Sequence, residues 1–491
     1  MLEMLPMVPI VFSLLCLLFP AHKKINLFIM LIGTLLTSCY CLYVGIFIAG
    51  HGPISGLNGL LYVDHLSAFH LILIAVVFST AALFAQNYFA HETGTSEGAP
   101  TPRSFSYFDA LWMLSLGAMV VALTSNNIII LWAAIEATTL FTCFLISLHK
   151  TKETFEAMWK YLLICGVGVS FALIGIVLIL AAGERAGQSF EHIVLWTNLV
   201  STAGRFNPTL MKAGFIFIFI GFGTKAGLAP MHTWLPDAHS KAPAPVSAIF
   251  SGFMLSLAVY GIARFIPVLN SIDGNFTHNI LIIFGTLSLI IGALSIAFQS
   301  DIKRLLAYSS IEHIGIITLA LGLGPVGAFA ALFHTMNHSL CKTFAFMSAG
   351  ATGQIFGTYE MKGIKNLLTS SWWGITLFIS LLALIGMAPF AVFMSKLQVI
   401  RAMVLNSQWI LLILFVCATV FVFIEILRHL MRMTGRAEKQ DTINQTIKRP
   451  AILDCVIIIA LLTSISVVGF WLPYPLKDLL MKSAAIISGS F

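Results

Sequence analysis

Apolar runs about as long as the roughly 20 residues needed to cross a bilayer as a helix recur along the whole of this chain. They lie at about 4–21, 25–49, 66–90, 109–125, 127–147, 157–182, 210–230, 244–266, 278–298, 304–323, 326–350, 372–404, 408–428 and 452–473. A water-soluble domain cannot accommodate that pattern. Only 10% of the 491 residues are charged and 58% are hydrophobic, whereas soluble domains carry roughly 25% charged residues. The pattern predicts an all-α, polytopic membrane protein of about fourteen transmembrane helices.

The loops predict its orientation. Counting from the first, the odd loops hold Lys23 and Lys24, Arg103, Lys150 and Lys152, Lys241, Lys303 and Arg304, Lys362 and Lys365, and a basic run of Arg428, Arg432, Arg436, Lys439, Lys448 and Arg449. The even loops and the tail hold Arg185, Arg205, Lys212, Lys477 and Lys482. The positive-inside rule therefore puts the odd loops in the cytoplasm and both termini outside, as in a bacterial inner-membrane protein. The net charge of +7 is a topology signal and forms no nucleic-acid patch. In the first segment the basic residues follow the apolar run, the reverse of a cleaved signal peptide, so it reads as the first helix. The eight cysteines lie in or beside apolar runs without a C-x-x-C and read as small hydrophobes.

Two of the runs contain matching breaks. "GLAP" at Gly227 to Pro230 and "GMAP" at Gly386 to Pro389 each have a lysine nearby, Lys225 and Lys396. Proline frees backbone carbonyls in a helix, which at bilayer depth is tolerated only inside protein or beside water. Paired broken helices in two halves of a membrane chain point to an ion-handling transporter built from repeats. A charged side chain at bilayer depth costs from about 2.5 to over 10 kcal/mol. Lys225 is thus expected to gain and lose a proton, in a hydrated pocket that the break at Pro230 opens.

The other intramembrane ionisable residues are few. Glu136 lies within "LWAAIEATTLF", and Glu312 and His313 lie halfway along "KRLLAYSSIEHIGIITLALG". His334, His338 and Lys342, in "HTMNHSLCK", are spaced i, i+4, i+8 and share one helix face over roughly 12 Å, a length suited to a section of proton wire. Burial moves lysine and glutamate toward neutrality, where a neighbouring charge can switch them.

Each also has a structural reading. Glu136 and Lys225 could form one ion pair within the bundle, and Lys342 and Lys396 could snorkel to an interface. The two histidines could be satisfied core residues, or could share zinc with Cys341, although no third strong ligand is evident. Lys160, between Trp159 and Tyr161, reads as an interfacial anchor. Asp301, Lys303 and Arg304 fit a cytoplasmic helix start, with Lys303 a candidate proton inlet; Asp64 and His65 read as interfacial. "GLGPVG", Gly322 to Gly327, fits G-x-G-x-x-G but follows no strand, so it is a turn. Iron–sulfur, haem, P-loop and nucleophile-elbow motifs are not found, so no redox chemistry is expected of this chain itself.

The stretch "TKAGLAPMHTWLPDAHSKAPAPVSA", followed in order by "DIKRLLAYSSIEHIG" and "HTMNHSLCKTFAFMSAG" and preceded by "WAAIEATTL", resembles the antiporter-like, proton-conducting membrane subunits shared by respiratory complex I, Mrp-type antiporters and membrane-bound hydrogenases. Within that family "WAAIEATTL" and "SSIEHIG" are most similar to the F-component branch of hydrogenase 4. The resemblance runs from about the third helix to the thirteenth. It implies two inverted five-helix repeats, each with one broken helix. The chain would divide into residues 1–107 (helices one to three), 108–266 (first repeat), 267–428 (second repeat) and 429–491 (a cytoplasmic basic loop and helix fourteen).

By the same resemblance Glu136 is the carboxylate that tunes Lys225, His334 and His338 are central relay histidines, and Lys396 exchanges protons with the outside. Lys160 matches a basic position of some members. Ser251 stands where many relatives have a histidine or lysine joining the halves, and Glu312 is expected to take over part of that bridging. Lys342 and Lys303 complete the expected relay. The implied function is proton translocation within a multi-subunit redox-driven complex, of hydrogenase-4, formate hydrogenlyase or complex I type. The alternatives are an Mrp-like cation/proton antiporter subunit moving protons or sodium, an ion-gradient-driven uptake module, and a silent scaffold. Partners would be other membrane and peripheral subunits in the same bilayer. Iron–sulfur clusters, and a nickel–iron centre or quinone, would belong to those partners, with no cofactor on this chain.

Overall fold

The computed structural model describes residues 2–20, 22–90, 100–436 and 450–489. Lys439, Lys448 and Arg449 of the last odd loop lie outside the described residues. The helices in order are α1 Met4–Leu18, α2 Lys23–His51, α3 His65–Ala90, α4 Pro102–Thr124, α5 Ile128–Ile146 and α6 Lys152–Arg185. After two short helices at Phe190–Ile193 and Trp196–Thr202 come α7 Pro208–Ala226, α8 Trp234–Lys241 and α9 Ala244–Ile296. Then follow α10 Ile302–Leu321, α11 Gly324–Phe356, a short turn at Leu367–Ser370, α12 Trp372–Ile385, α13 Ala391–Leu405, α14 Trp409–Thr434, α15 Ile452–Phe470 and α16 Tyr474–Ser488. Among the described residues ten of these are long and apolar enough to cross a membrane: α2 to α7, α9, α10, α14 and α15. Shorter apolar helices, α1 and α12, accompany them. A hairpin of Ile54–Gly56 and Leu61–Val63, turned at Asn58 and Gly59 in the left-handed region, is the only sheet among the described residues.

Helix starts follow local capping chemistry. Thr101, Asn127, Asn207 and Asp301 each place a side-chain oxygen on backbone N–H groups of the first turn of α4, α5, α7 and α10, which would otherwise be unpaired. Asp301 thus is the helix start expected of it. The expected break between runs 244–266 and 278–298 falls at Asp273, a non-helical residue at which two helices within α9 meet across a kink. The terminal α16 was not foreseen, because it is shorter than a bilayer is thick; it packs on α3, α9 and α11. The long α11 carries His334, Asn337, His338 and Lys342 at its middle and is buried almost continuously from Gly327 to Gly353. A helix buried on every side is the centre of its bundle.

Both breaks close in the same way. Gly227 and Gly386 are left-handed, with φ of 76° and 84°, a conformation glycine adopts without a Cβ clash. The N–H of Leu228 donates to Gly223 and that of Gly227 to Thr224; likewise Met387 donates to Leu382 and Gly386 to Ala383. Each pair is a Schellman closure of the preceding helix. At the first break the Trp234 indole donates to the Thr224 carbonyl (2.9 Å), and the Ala229 N–H donates to Ser288 Oγ (2.9 Å). The backbone freed there is therefore satisfied by protein groups.

Two close helix seams hold the breaks in place. Glycines seven residues apart line each seam: Gly168 and Gly175 on α6, Gly214 and Gly221 on α7, Gly285 and Gly292 on α9, Gly315 on α10 and Gly322 at its C-terminal cap. A Cβ on Gly221 would lie 2.5 Å from the Ala172 backbone nitrogen, and one on Gly315 2.5 Å from that of Leu289. Small residues let helices approach closely, which supplies much of the packing inside a bilayer. Gly221→Val or Gly315→Val is expected to cost about 1–3 kcal/mol by overpacking, seen as earlier thermal unfolding in detergent. Gly50→Val, where a Cβ meets nothing within 4 Å, is expected to leave the transition unmoved.

Candidate functional site

Lys225 ends α7 beside the first break and is 1% exposed. Its ammonium donates to Thr139 Oγ1 on α5 (2.8 Å) and to the Tyr161 hydroxyl on α6 (2.7 Å), and lies 5.0 Å from the centre of the Tyr161 ring. Glu136 is half-buried and accepts from Thr139 Oγ1 at 3.5 Å, the outer limit of a hydrogen bond. Among the described residues no ion pair joins Glu136 to Lys225; Thr139 stands between them. In place of an ion pair, the Thr139 hydroxyl bridges the two groups. Thr139 sits one helical turn beyond Glu136 on the same face, a spacing visible in the sequence but not used.

From Tyr161 the polar contacts pass to Thr142 (2.7 Å) and stop at the Met254 sulfur, 3.5 Å from the Tyr161 hydroxyl. Met254 and Phe250 belong to a π-helical turn, Phe250–Met254, at the start of α9. The same turn presents Ser251, whose Oγ meets Ser310 Oγ on α10 at 2.8 Å. Ser310 donates to the Leu306 carbonyl (3.0 Å), and so does the Lys342 ammonium (2.7 Å), which also bonds Ser309 Oγ. Ser251 thus reaches the second half through Ser310. Glu312, two residues further and therefore about 200° around the helix, faces elsewhere. The expectation that Glu312 bridges the halves is corrected accordingly.

Glu312 lies against Lys396 on α13: Oε1 is 3.3 Å from the ammonium and Oε2 is 3.6 Å from His313 Nε2. The Lys396 ammonium also reaches the Ile385 carbonyl at the second break, at 3.4 Å. His313 Nδ1 and His334 Nε2 share a proton position at 2.9 Å, and His334 Nδ1 meets Ser395 Oγ at 2.9 Å. The His338 ring lies tilted against that of His313, with ring centres 5.3 Å apart, but among the described residues neither of its ring nitrogens has a hydrogen-bond partner. The stripe of His334, His338 and Lys342 is buried as expected, yet its members do not bond one another. The connections run sideways, between α10, α11 and α13, and His313 is their hub. Lys342 and Lys396 are buried, so neither snorkels to an interface.

The remaining candidates lie off this line. Lys160 is half-exposed and pairs with Glu156 (2.6 Å) and Asp237 (3.1 Å); Asp237 also holds Arg304 (2.6 Å). Lys303 is buried, donating to the carbonyls of Ser240 (3.0 Å), in the last turn of α8, and Ala242 (2.5 Å), just after it. Next to those carbonyls His239 is wholly buried, and Asp109 on α4 is buried too; among the described residues neither the ring nitrogens of the one nor the carboxylate oxygens of the other have a partner. Neither was singled out from sequence. Asp64, expected at an interface, is buried: it caps α3 and forms a two-toothed pair with Arg264 of α9 (2.5 and 2.8 Å). Trp196 and Tyr260 flank that guanidinium.

Residues 125–422, which contain Glu136, Lys225, Glu312, His334, His338, Lys342 and Lys396, match the NADH:quinone oxidoreductase/Mrp antiporter transmembrane family. The chain belongs to this family. It is 39% identical over 346 residues to the hydrogenase-4 component F homolog of Methylacidiphilum infernorum, covering 69% of this chain and 72% of that protein. It is 27% identical over 415 residues to a Na(+)/H(+) antiporter subunit of Alkalihalophilus pseudofirmus, covering 82% of this chain and 81% of that protein. A chain of the membrane-bound sulfane sulfur reductase, an archaeal respiratory membrane complex, superimposes with a TM-score of 0.84 at 27% identity over 99% of this chain and 97% of that one.

The two kinds of charge contact predict losses of different size. Arg264→Met leaves Asp64 buried and unpaired and is expected to cost about 3–5 kcal/mol. Lys160→Ala removes an exposed pair and is expected to cost no more than about 1 kcal/mol. Thermal unfolding of the two purified variants compares them directly.

Proposed function

We propose that this chain is the proton-translocating membrane subunit of a multi-subunit, redox-driven complex. The observation that carries the reading is Lys225: a wholly buried ammonium held by two neutral hydroxyls, with the nearest carboxylate, Glu136, one hydroxyl away. Such a charge is costly to keep unless it is used. A change of charge beside Glu136, driven by electron transfer in a partner, would alter its hold on Lys225 through Thr139. The proton released would cross at the Phe250–Met254 turn, where Ser251 and Ser310 meet, and pass Lys342, the histidines and Lys396. The likeness to a hydrogenase-4 component F homolog supports a redox partner. Iron–sulfur clusters, and a nickel–iron centre or quinone site, belong in this reading to the partner subunits.

The topology proposed with it is about fourteen transmembrane helices in a bacterial inner membrane, both termini outside. The broken helices α7/α8 and α12/α13 would be corresponding elements of inverted repeats, residues 108–266 and 267–428, flanked by 1–107 and 429–491. The shared Schellman closures support that correspondence. Lys303, packed under the residues that follow α8, is assigned to proton input from the cytoplasm, and Lys160 to the surface network that positions Asp237 and Arg304. A second reading, a cation/proton antiporter subunit without a redox partner, is favoured by the match to 81% of the Na(+)/H(+) antiporter relative.

Affinity purification in mild detergent followed by reconstitution tests both. Co-purification of iron–sulfur subunits, with proton uptake driven by their electron donor, is the outcome expected of a redox-driven pump. Recovery of membrane subunits alone, with sodium-dependent proton exchange, would replace it with the antiporter. In either case Lys225→Gln is expected to slow proton movement at least tenfold.

A further inference from the structure

We propose that Glu312 is the carboxylate that hands protons from the paired histidines to Lys396 and, by its own charge, sets when Lys396 releases one to the outside. The inference rests on the proton-translocating reading above. It assigns the second half a glutamate–lysine couple of its own, built differently from Glu136 and Lys225.

Glu312 is 1% exposed and stands between two groups. One oxygen is paired with the Lys396 ammonium at 3.3 Å; the other faces His313 Nε2 at 3.6 Å, and among the described residues neither of these two atoms has a hydrogen-bond partner. That gap is a few tenths of an ångström beyond a hydrogen bond, so a rotation of one carboxylate closes it. Among the described residues no other titratable group touches Lys396; its remaining polar contact is the Ile385 carbonyl. Ser395 offers no detour. Its hydroxyl receives His334 Nδ1 and donates to the Val392 carbonyl at 3.0 Å, with no hydrogen bond to Lys396. Gly292 holds the position from behind, since a Cβ there would lie 2.6 Å from the Glu312 backbone nitrogen.

The steps balance. A proton on His313 Nε2 moves to Glu312 Oε2: the N–H bond breaks, the O–H bond forms, and both groups become neutral. Lys396 has then lost its counter-charge in a region of low dielectric, where that loss weighs most. It releases a proton outward and becomes an amine. The amine takes the proton from Glu312, restoring the ammonium–carboxylate pair. One proton has gone from His313 to the outside, and the arriving proton is what expels the departing one. In the first half Thr139 separates the partners, so that couple responds to charge without exchanging protons directly.

The test uses the intact complex in proteoliposomes, with proton movement read by a pH dye and carboxyl protonation by infrared difference spectroscopy. Glu312→Gln is expected to slow transport at least tenfold and to remove a carboxylic-acid C=O band that appears on turnover; Glu312→Asp is expected to recover part of the rate with that band shifted. If Lys225→Gln stops transport while Glu312→Gln runs normally, the role of Glu312 is overturned and the function stands. If both run normally, the proton-translocating reading fails as well. Should Glu312→Gln not assemble, the aspartate variant decides: an unshifted band there overturns the proposal.

Discussion

An ammonium at bilayer depth has no bulk water to solvate it, so the protein must supply acceptors and counter-charges in its place. Much of this fold answers that requirement. Among the described residues four lysines, Lys225, Lys303, Lys342 and Lys396, are buried, and each receives a different set of partners: two hydroxyls for Lys225, two backbone carbonyls for Lys303, a carbonyl and a serine for Lys342, a carboxylate and a carbonyl for Lys396. Several of the carbonyls come from places where a helix ends or breaks. The broken helices are thus the source of some of the polar groups that replace water.

The glycine seams make those places possible. By bringing α6 onto α7 and α9 onto α10 at backbone distance, they bring Tyr161 to Lys225 and set Glu312 over Gly292. Packing and polarity are coupled here: the same close approach that gives van der Waals contact between helices places hydroxyls within reach of the ammonium. The π turn at Phe250–Met254 does similar work between the halves, turning Ser251 toward Ser310 while Met254 and Phe250 keep Tyr161 apart from it. Such one-turn irregularities are frequent at functional sites.

Legibility in the sequence divided along the same line. Glu136, Lys225, Glu312, His334, His338, Lys342 and Lys396 stood out because ionisable residues are rare in apolar runs. The two breaks stood out because proline and glycine interrupt a helix wherever they occur. Asp64 was misread, since an aspartate at a helix mouth resembles an interfacial residue until Arg264 arrives 200 residues later. His313 was noticed but not as a hub, and Thr139 and Ser395 were passed over because hydroxyl residues are common in membrane helices and carry no charge to mark them. Lys160, which its aromatic neighbours marked as an interfacial anchor, sits in a surface network with Glu156 and Asp237.

By itself the sequence determined that the chain is a membrane-embedded helical protein, where two of its helices break, and which ionisable residues lie within it. Those properties follow from length, hydropathy and local backbone chemistry, and each is contained in a window of a few tens of residues. Only the tertiary structure decided which of those residues meet. The pairing of Glu312 with Lys396 rather than Ser251, the insertion of Thr139 between Glu136 and Lys225, and the sideways run of contacts through His313 depend on how distant helices are rotated and stacked. A side chain's periodicity gives its direction on its own helix, while its partner is set by the approach of another.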